Sequence, residues 1–87
     1  MKEYKFHDDA GHGWLEVELA EIERLGLTDQ ISDYSYLNGN IAYLEEDCDA
    51  QLFIKEKENK KELFKLINIY DGDHSFIRDL PIFRIKK

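Results

Sequence analysis

Polar and apolar positions alternate from the start of the chain. Glu3-Tyr4-Lys5-Phe6-His7 turns every second residue toward a core, the pattern of a half-buried strand. The turn formers Asp8-Asp9-Ala10-Gly11-His12-Gly13 interrupt it and Trp14-Leu15-Glu16-Val17 resumes it, so a first hairpin is expected. From Glu18 to Leu25 the period changes. Leu19, Ile22 and Leu25, with Ala20 beside them, share one face of a helix about two turns long, and Gly26 stands where a left-handed C-terminal cap belongs.

Asn38-Gly39 is the preferred pair for a two-residue type I′ turn. Counting outward from it predicts a second hairpin with Leu37 opposite Asn40, Tyr36 opposite Ile41 and Tyr34 opposite Tyr43. One face then carries Tyr34, Tyr36, Ile41 and Tyr43. The other carries Asp33, Ser35, Leu37, Asn40, Ala42 and Leu44, and the pattern does not decide which face turns inward.

Acids gather before Ala50 and lysines toward Lys61, the arrangement that complements a helix dipole, so a second helix is expected over 47–59 with Asp47 as its N-cap. The run from Glu62 to Tyr70, rich in Leu, Phe and Ile and free of Gly and Pro, predicts a buried strand. Asp71-Gly72-Asp73 makes a turn, Phe76-Ile77 predicts a short extended piece, and Ile82-Phe83-Arg84-Ile85 a terminal strand beyond Pro81. The predicted fold is α+β, a largely antiparallel sheet packed with two short helices in the order ββαββαββ, in a single domain over 1–87.

Composition narrows the function. An apolar fraction of 43% is too high for a disordered acidic tail, and 87 residues leave little room for a deep enclosed active site. Residues 1–49 hold thirteen acids and three bases, net −10, and residues 50–87 six acids and nine bases, net +3, which sum to the whole-chain −7. That balance disfavours direct binding to nucleic acid or anionic lipid. The single cysteine, Cys48, supports no disulfide framework or Cys-rich zinc site, and no apolar run is long enough to span a bilayer. A cytoplasmic setting and no cofactor are expected.

His7 and His12 bracket a loop that also holds Asp8 and Asp9, so a metal-binding module or small metal-dependent enzyme is one alternative, though no further ligand announces itself. Cys48 is flanked by Glu46, Asp47 and Asp49, whose charges favour the neutral thiol over a nucleophile. The acids Asp8, Asp9, Asp33, Glu45, Glu46, Asp47 and Asp49 fall near turns or element ends. With Trp14, Tyr34 and Tyr36 they form the candidate partner-binding set, these three and Tyr43 being suitable aromatic anchors if their rings are exposed and core residues if not. A third alternative is a homodimeric structural subunit joined through an exposed hairpin edge.

The blocks His7-Asp8-Asp9-Ala10-Gly11-His12-Gly13-Trp14-Leu15-Glu16-Val17 and Tyr34-Ser35-Tyr36-Leu37-Asn38-Gly39-Asn40-Ile41-Ala42-Tyr43-Leu44-Glu45-Glu46-Asp47-Cys48-Asp49-Ala50 resemble those of short bacterial and phage proteins with no assigned activity. The resemblance implies a phage or mobile-element setting. Small acidic proteins there include anti-restriction and anti-CRISPR inhibitors, some of them DNA mimics. The expected function is therefore a small acidic non-enzymatic binding protein that inhibits a host nucleic-acid-handling protein by covering its basic surface.

Overall fold

The structure, a computed structural model, describes residues 1–84. Strands β1 (Lys2–Asp8), β2 (Gly13–Glu18), β3 (Tyr36–Asn38), β4 (Ile41–Glu45) and β5 (Phe64–Tyr70) form one 5-stranded sheet in the order β3-β4-β2-β1-β5. Helices α1 (Leu19–Arg24) and α2 (Asp49–Asn59) accompany it, with short 3-10 helices at Thr28–Gln30 and Phe76–Asp79. The class is α+β. The β1–β2, β2–β4 and β3–β4 pairings are antiparallel, and β5 runs parallel to β1. A parallel neighbour needs a crossover, and α2 supplies it by carrying the chain from β4 over the sheet to β5.

Strand alternation gives the sheet two apolar faces. Tyr4, Leu15, Val17, Ala42 and Leu44 meet Ile22, Ala50 and Phe53 of the helices, and Leu25 just past α1, in the main core. The Phe53 ring, fully buried, stands edge-on to Tyr4 with centroids 5.3 Å apart. Trp14 and Tyr43 leave by the opposite face, where buried Ile77 and half-buried Tyr36, Ile41 and Leu80 pack on them. The question left open by the sequence is thus resolved by a cover on each side.

Helix α1 ends as its sequence requires. Gly26, at φ 73°, follows the C-cap Leu25. Its N–H donates to the Glu23 carbonyl and the Leu27 N–H to that of Ile22, both at 3.0 Å, completing a Schellman motif. Helix α2 ends in the same motif: the Lys61 and Glu62 N–H groups donate to Glu58 and Lys57, but the left-handed position is filled by Lys61, at φ 56°.

Several expectations are corrected. The second hairpin pairs Tyr36 with Tyr43, Leu37 with Ala42 and Asn38 with Ile41, two residues along from the predicted register. Its loop is Gly39-Asn40, with Gly39 at φ 62° as the first-position glycine of a type II′ turn. A slip of two keeps every side chain on its face, whereas a slip of one reverses them all. It removes Tyr34 from the strand into the preceding turn. Asn40 is held there by its carbonyl, which accepts from Leu19 N at 2.7 Å. Helix α2 begins at Asp49, after Cys48 at the N-cap, and Asp47 makes no side-chain cap.

The Glu62–Tyr70 segment does form a strand from Phe64, but an edge strand rather than a buried one. Leu66 and Ile67 are each 39% exposed and Tyr70 65%. Phe76-Ile77 belongs to a 3-10 helix, whose first turn is capped by the Ser75 hydroxyl accepting from Ile77 N at 3.2 Å. In place of a terminal strand, Ile82 makes one isolated bridge to Tyr36, while Leu37 N donates to the Pro81 carbonyl and Phe83 N to that of Ser35. The expectation for Ile85 lies outside the described residues. These contacts cover the β3 edge, so the hairpin edge expected to be open is closed by the chain itself.

Candidate functional site

The register of the sheet builds a cleft on the face opposite the helices. Trp14 on β2 is paired with Glu45 on β4, and Tyr36 on β3 follows in the next row. Around them come Asp33 and Tyr34 from the turn before β3, Asp47 and Cys48 from the turn before α2, His12 from the first hairpin loop and Arg78 from the second 3-10 helix. Together they line a cleft of about 440 Å³. Its rim is acidic and its floor aromatic, but Trp14, 2% exposed, belongs to the core beneath that floor and is corrected from an exposed anchor, which leaves half-buried Tyr36 and exposed Tyr34 as the accessible rings. The Trp14 and Tyr36 rings meet edge-to-face at 6.2 Å. Tyr34 stands at the rim with 72% of its surface exposed, its N–H held by the Ser32 hydroxyl at 3.2 Å.

Arg78 fixes one wall. Its guanidinium carbon lies 5.2 Å from the Trp14 ring centroid, and Nε and Nη2 donate to the two carboxylate oxygens of Asp9 at 2.5 and 2.8 Å. The Asp9 carboxylate also accepts from the backbone N–H groups of Gly11, His12 and Ser75. The Arg78 hydrogen bonds, helped by those three amides, hold it well below the usual carboxylate range. Asp9 is buried and fully committed, so its place in the partner-binding set is corrected to that of a loop anchor.

Asp49 is corrected likewise. It is 2% exposed, and its Oδ2 accepts from the Ser32 N–H and from the hydroxyls of Ser32 and Ser35 at 2.5–3.0 Å, tying the turn before β3 to the start of α2. The Ser35 hydroxyl in turn accepts from Glu45 N at 2.9 Å. Glu45 lines the cleft but is itself buried, its two oxygens accepting from Asp47 N at 2.8 and 3.0 Å. Asp33 and Asp47 are exposed at the rim. Glu46 is half-buried, with an oxygen 3.8 Å from His12 Nδ1. Asp8 is half-buried at the end of β1, opposite Gly13 and Tyr70, and does not line the cleft.

The two histidines of the first hairpin do not converge. His7 is buried on β1, with Nε2 2.9 Å from Glu16 Oε1 and Nδ1 3.1 Å from Asp71 Oδ2. Both ring nitrogens face carboxylates of the fold, and neither is turned to a shared ligand with His12. Among the described residues no group of three or more His, Cys, Asp or Glu side chains is disposed to hold a metal ion.

Trp14, Asp33, Tyr34, Tyr36, Glu45 and Asp47 are brought together, whereas Asp8, Asp9, Glu46 and Asp49 stand outside the cleft lining. Sequence reasoning missed Arg78 as a wall of the site. Asp9 and Arg78 are separated by 69 positions, and no local pattern couples them. No protein-family profile, curated protein or solved structure matches this chain. No helix among the described residues is long and apolar enough to cross a membrane.

Proposed function

We propose that the chain is a non-enzymatic binding protein whose cleft receives a basic side chain, arginine or lysine, from the surface of a partner protein. The observation that carries this reading is the convergence of Trp14, Tyr34 and Tyr36 with the carboxylates of Asp33, Glu45 and Asp47 round one opening. Long basic side chains have an apolar stem and a charged head, and an aromatic floor under an acidic rim matches both parts. The chain's own Arg78, placed over Trp14 and gripped by Asp9, supports a reading in which guanidinium groups suit this surface.

In the phage or mobile-element setting that the sequence resemblance implies, the natural partner class is a nucleic-acid-handling protein with a basic surface, which this chain would occlude. Recognition is through one aromatic-acidic cleft rather than an extended row of phosphate-like charges. Support for the narrower form comes from the withdrawal of Asp9 and Asp49 into internal hydrogen bonds.

The test uses the only tryptophan of the chain, Trp14, as reporter. Titration with a short arginine-rich peptide is expected to change its emission, with an affinity that falls steeply as salt rises. Joint charge reversal by Asp33→Lys and Asp47→Lys, two exposed positions, should abolish the response and leave the circular dichroism unchanged. An undiminished response in that double variant would overturn the proposal.

A further inference from the structure

We propose that the open edge at β5 pairs with the same strand of a second copy, joining two sheets across a two-fold axis. One edge of the sheet is closed and the other is not. Beside β3 the chain lays residues 81–83, whereas among the described residues β5 has only β1 as a neighbour.

The direction of the unpaired groups follows from the parallel ladder. Asp71 N donates to the Asp8 carbonyl at 2.7 Å, so the odd-numbered residues of this strand turn their N–H and C=O groups toward β1. Alternation then points those of Phe64, Leu66, Asn68 and Tyr70 outward, where no described residue bonds to them. Unprotected edges of this kind are templates for another strand.

The strand complements itself. An antiparallel two-fold pairing centred on Ile67 is the register that uses all four outward residues. It sets Phe64 opposite Tyr70 of the copy at both ends and Leu66 opposite Asn68, with Ile67 against its own mate on the axis. Cross-strand aromatic pairs are among the more favourable in sheets. Lys65 is the only charged residue of β5. The register keeps it from its own mate and places it opposite Ile69 of the copy, so no like charges meet across the axis. Partly exposed Leu66, Ile67 and Tyr70 would be covered. A single strand pair is a small interface, so the dimer is expected to be weak and concentration-dependent.

This surface is at the far end of the sheet from β3 and the cleft, so failure here leaves the proposed function untouched. Sedimentation velocity of the wild-type chain over a range of concentrations is expected to show reversible dimer formation. Ile67→Lys, which opposes two lysines on the axis, and Asn68→Pro, which removes only an outward N–H, should each return it to monomer.

A cysteine arm keeps the proposal testable if either variant folds poorly. In a Cys48→Ser background, Ile67→Cys places two thiols in a non-hydrogen-bonded pair whose Cα separation of about 4.5 Å admits a disulfide. Oxidised glutathione should therefore cross-link it. Lys65→Cys lies four register positions, roughly 13 Å, from its mate and should stay monomeric. A wild-type chain that sediments as monomer at every concentration, or equal cross-linking of the two cysteine variants, would overturn the proposal.

Discussion

The Arg78 guanidinium lies over the Trp14 indole while it grips both oxygens of Asp9, so one side chain fastens the first hairpin loop and walls the cleft. Arg78→Ala frees the indole face and strands the Asp9 charge. A red-shifted Trp14 emission and a lower thermal midpoint are expected. Arg78→Lys should restore neither in full, because a lysine is a point charge without the planar fork that meets two carboxylate oxygens and lies flat on a ring. Wild-type emission and melting in Arg78→Ala would contradict this account of the wall.

Asp47 and Asp49 are two positions apart and have opposite roles. Asp49→Ala removes the acceptor for the buried Ser35 hydroxyl and the half-buried Ser32 hydroxyl and is expected to cost about 1–3 kcal/mol of unfolding free energy for the buried group left unsatisfied. Asp47→Ala, at an exposed position, should change denaturant midpoints little and weaken peptide binding. Urea melts paired with the Trp14 titration separate the two effects; a reversal of them would sink the assignment.

Lys61 fills a left-handed position that glycine occupies without steric cost. Lys61→Gly is expected to stabilise the chain by about 0.5–1 kcal/mol, measured as a raised urea midpoint at unchanged slope. A lowered midpoint would show that the strain is relieved elsewhere.

Acid should act through the cluster that ties α1 to the end of α2. The Tyr4 hydroxyl donates to Glu21 at 2.6 Å, Arg24 bridges Glu21 and Glu62, and buried Lys57 donates to Glu62 at 3.0 Å. Burial opposes the charged form of Glu21, but hydrogen bonds from Arg24 and Tyr4 and the charge of Lys57 outweigh it, lowering its pKa from 4.5 to about 2. Hydrogen bonds from Arg24 and Lys57 lower Glu62 likewise to about 2. A carboxylate depressed in the folded state contributes its stability above the unfolded pKa and loses it as pH falls through the folded one. Stability is therefore expected to fall between pH 4.5 and 2, and Glu62→Gln should flatten that limb. A limb as steep in the variant would remove Glu62 from the cause.

Local chemistry made much of the fold legible in advance. Helix α1 with Gly26, the first hairpin and the existence of α2 and β5 all follow from short-range period and capping. The rest depended on partners remote in sequence. Gly39 serves either an Asn-Gly or a Gly-Asn loop, and the pairing of Tyr36 with Tyr43, with the anchoring of Asn40 by Leu19, decides between them. An apolar run such as Phe64–Tyr70 reads as buried on both faces until its place at the end of the sheet is known. In the site, the aromatic residues and the rim acids were visible by type, but Asp9 and Asp49 look the same in sequence as Asp33 and Asp47. Only the serines and the arginine that the fold brings to them distinguish structural from exposed carboxylates.

The parallel pairing of β1 with β5 has a consequence for how the molecule comes into being. Lys2 meets Phe64 and Asp8 meets Tyr70, so β1 waits for a strand 62 positions further on before its outer backbone is satisfied. The loop closed by that encounter is long, and its entropy must be met before the contact rewards it. The hairpins can form from neighbouring segments; the sheet is completed only when β5 arrives beside β1.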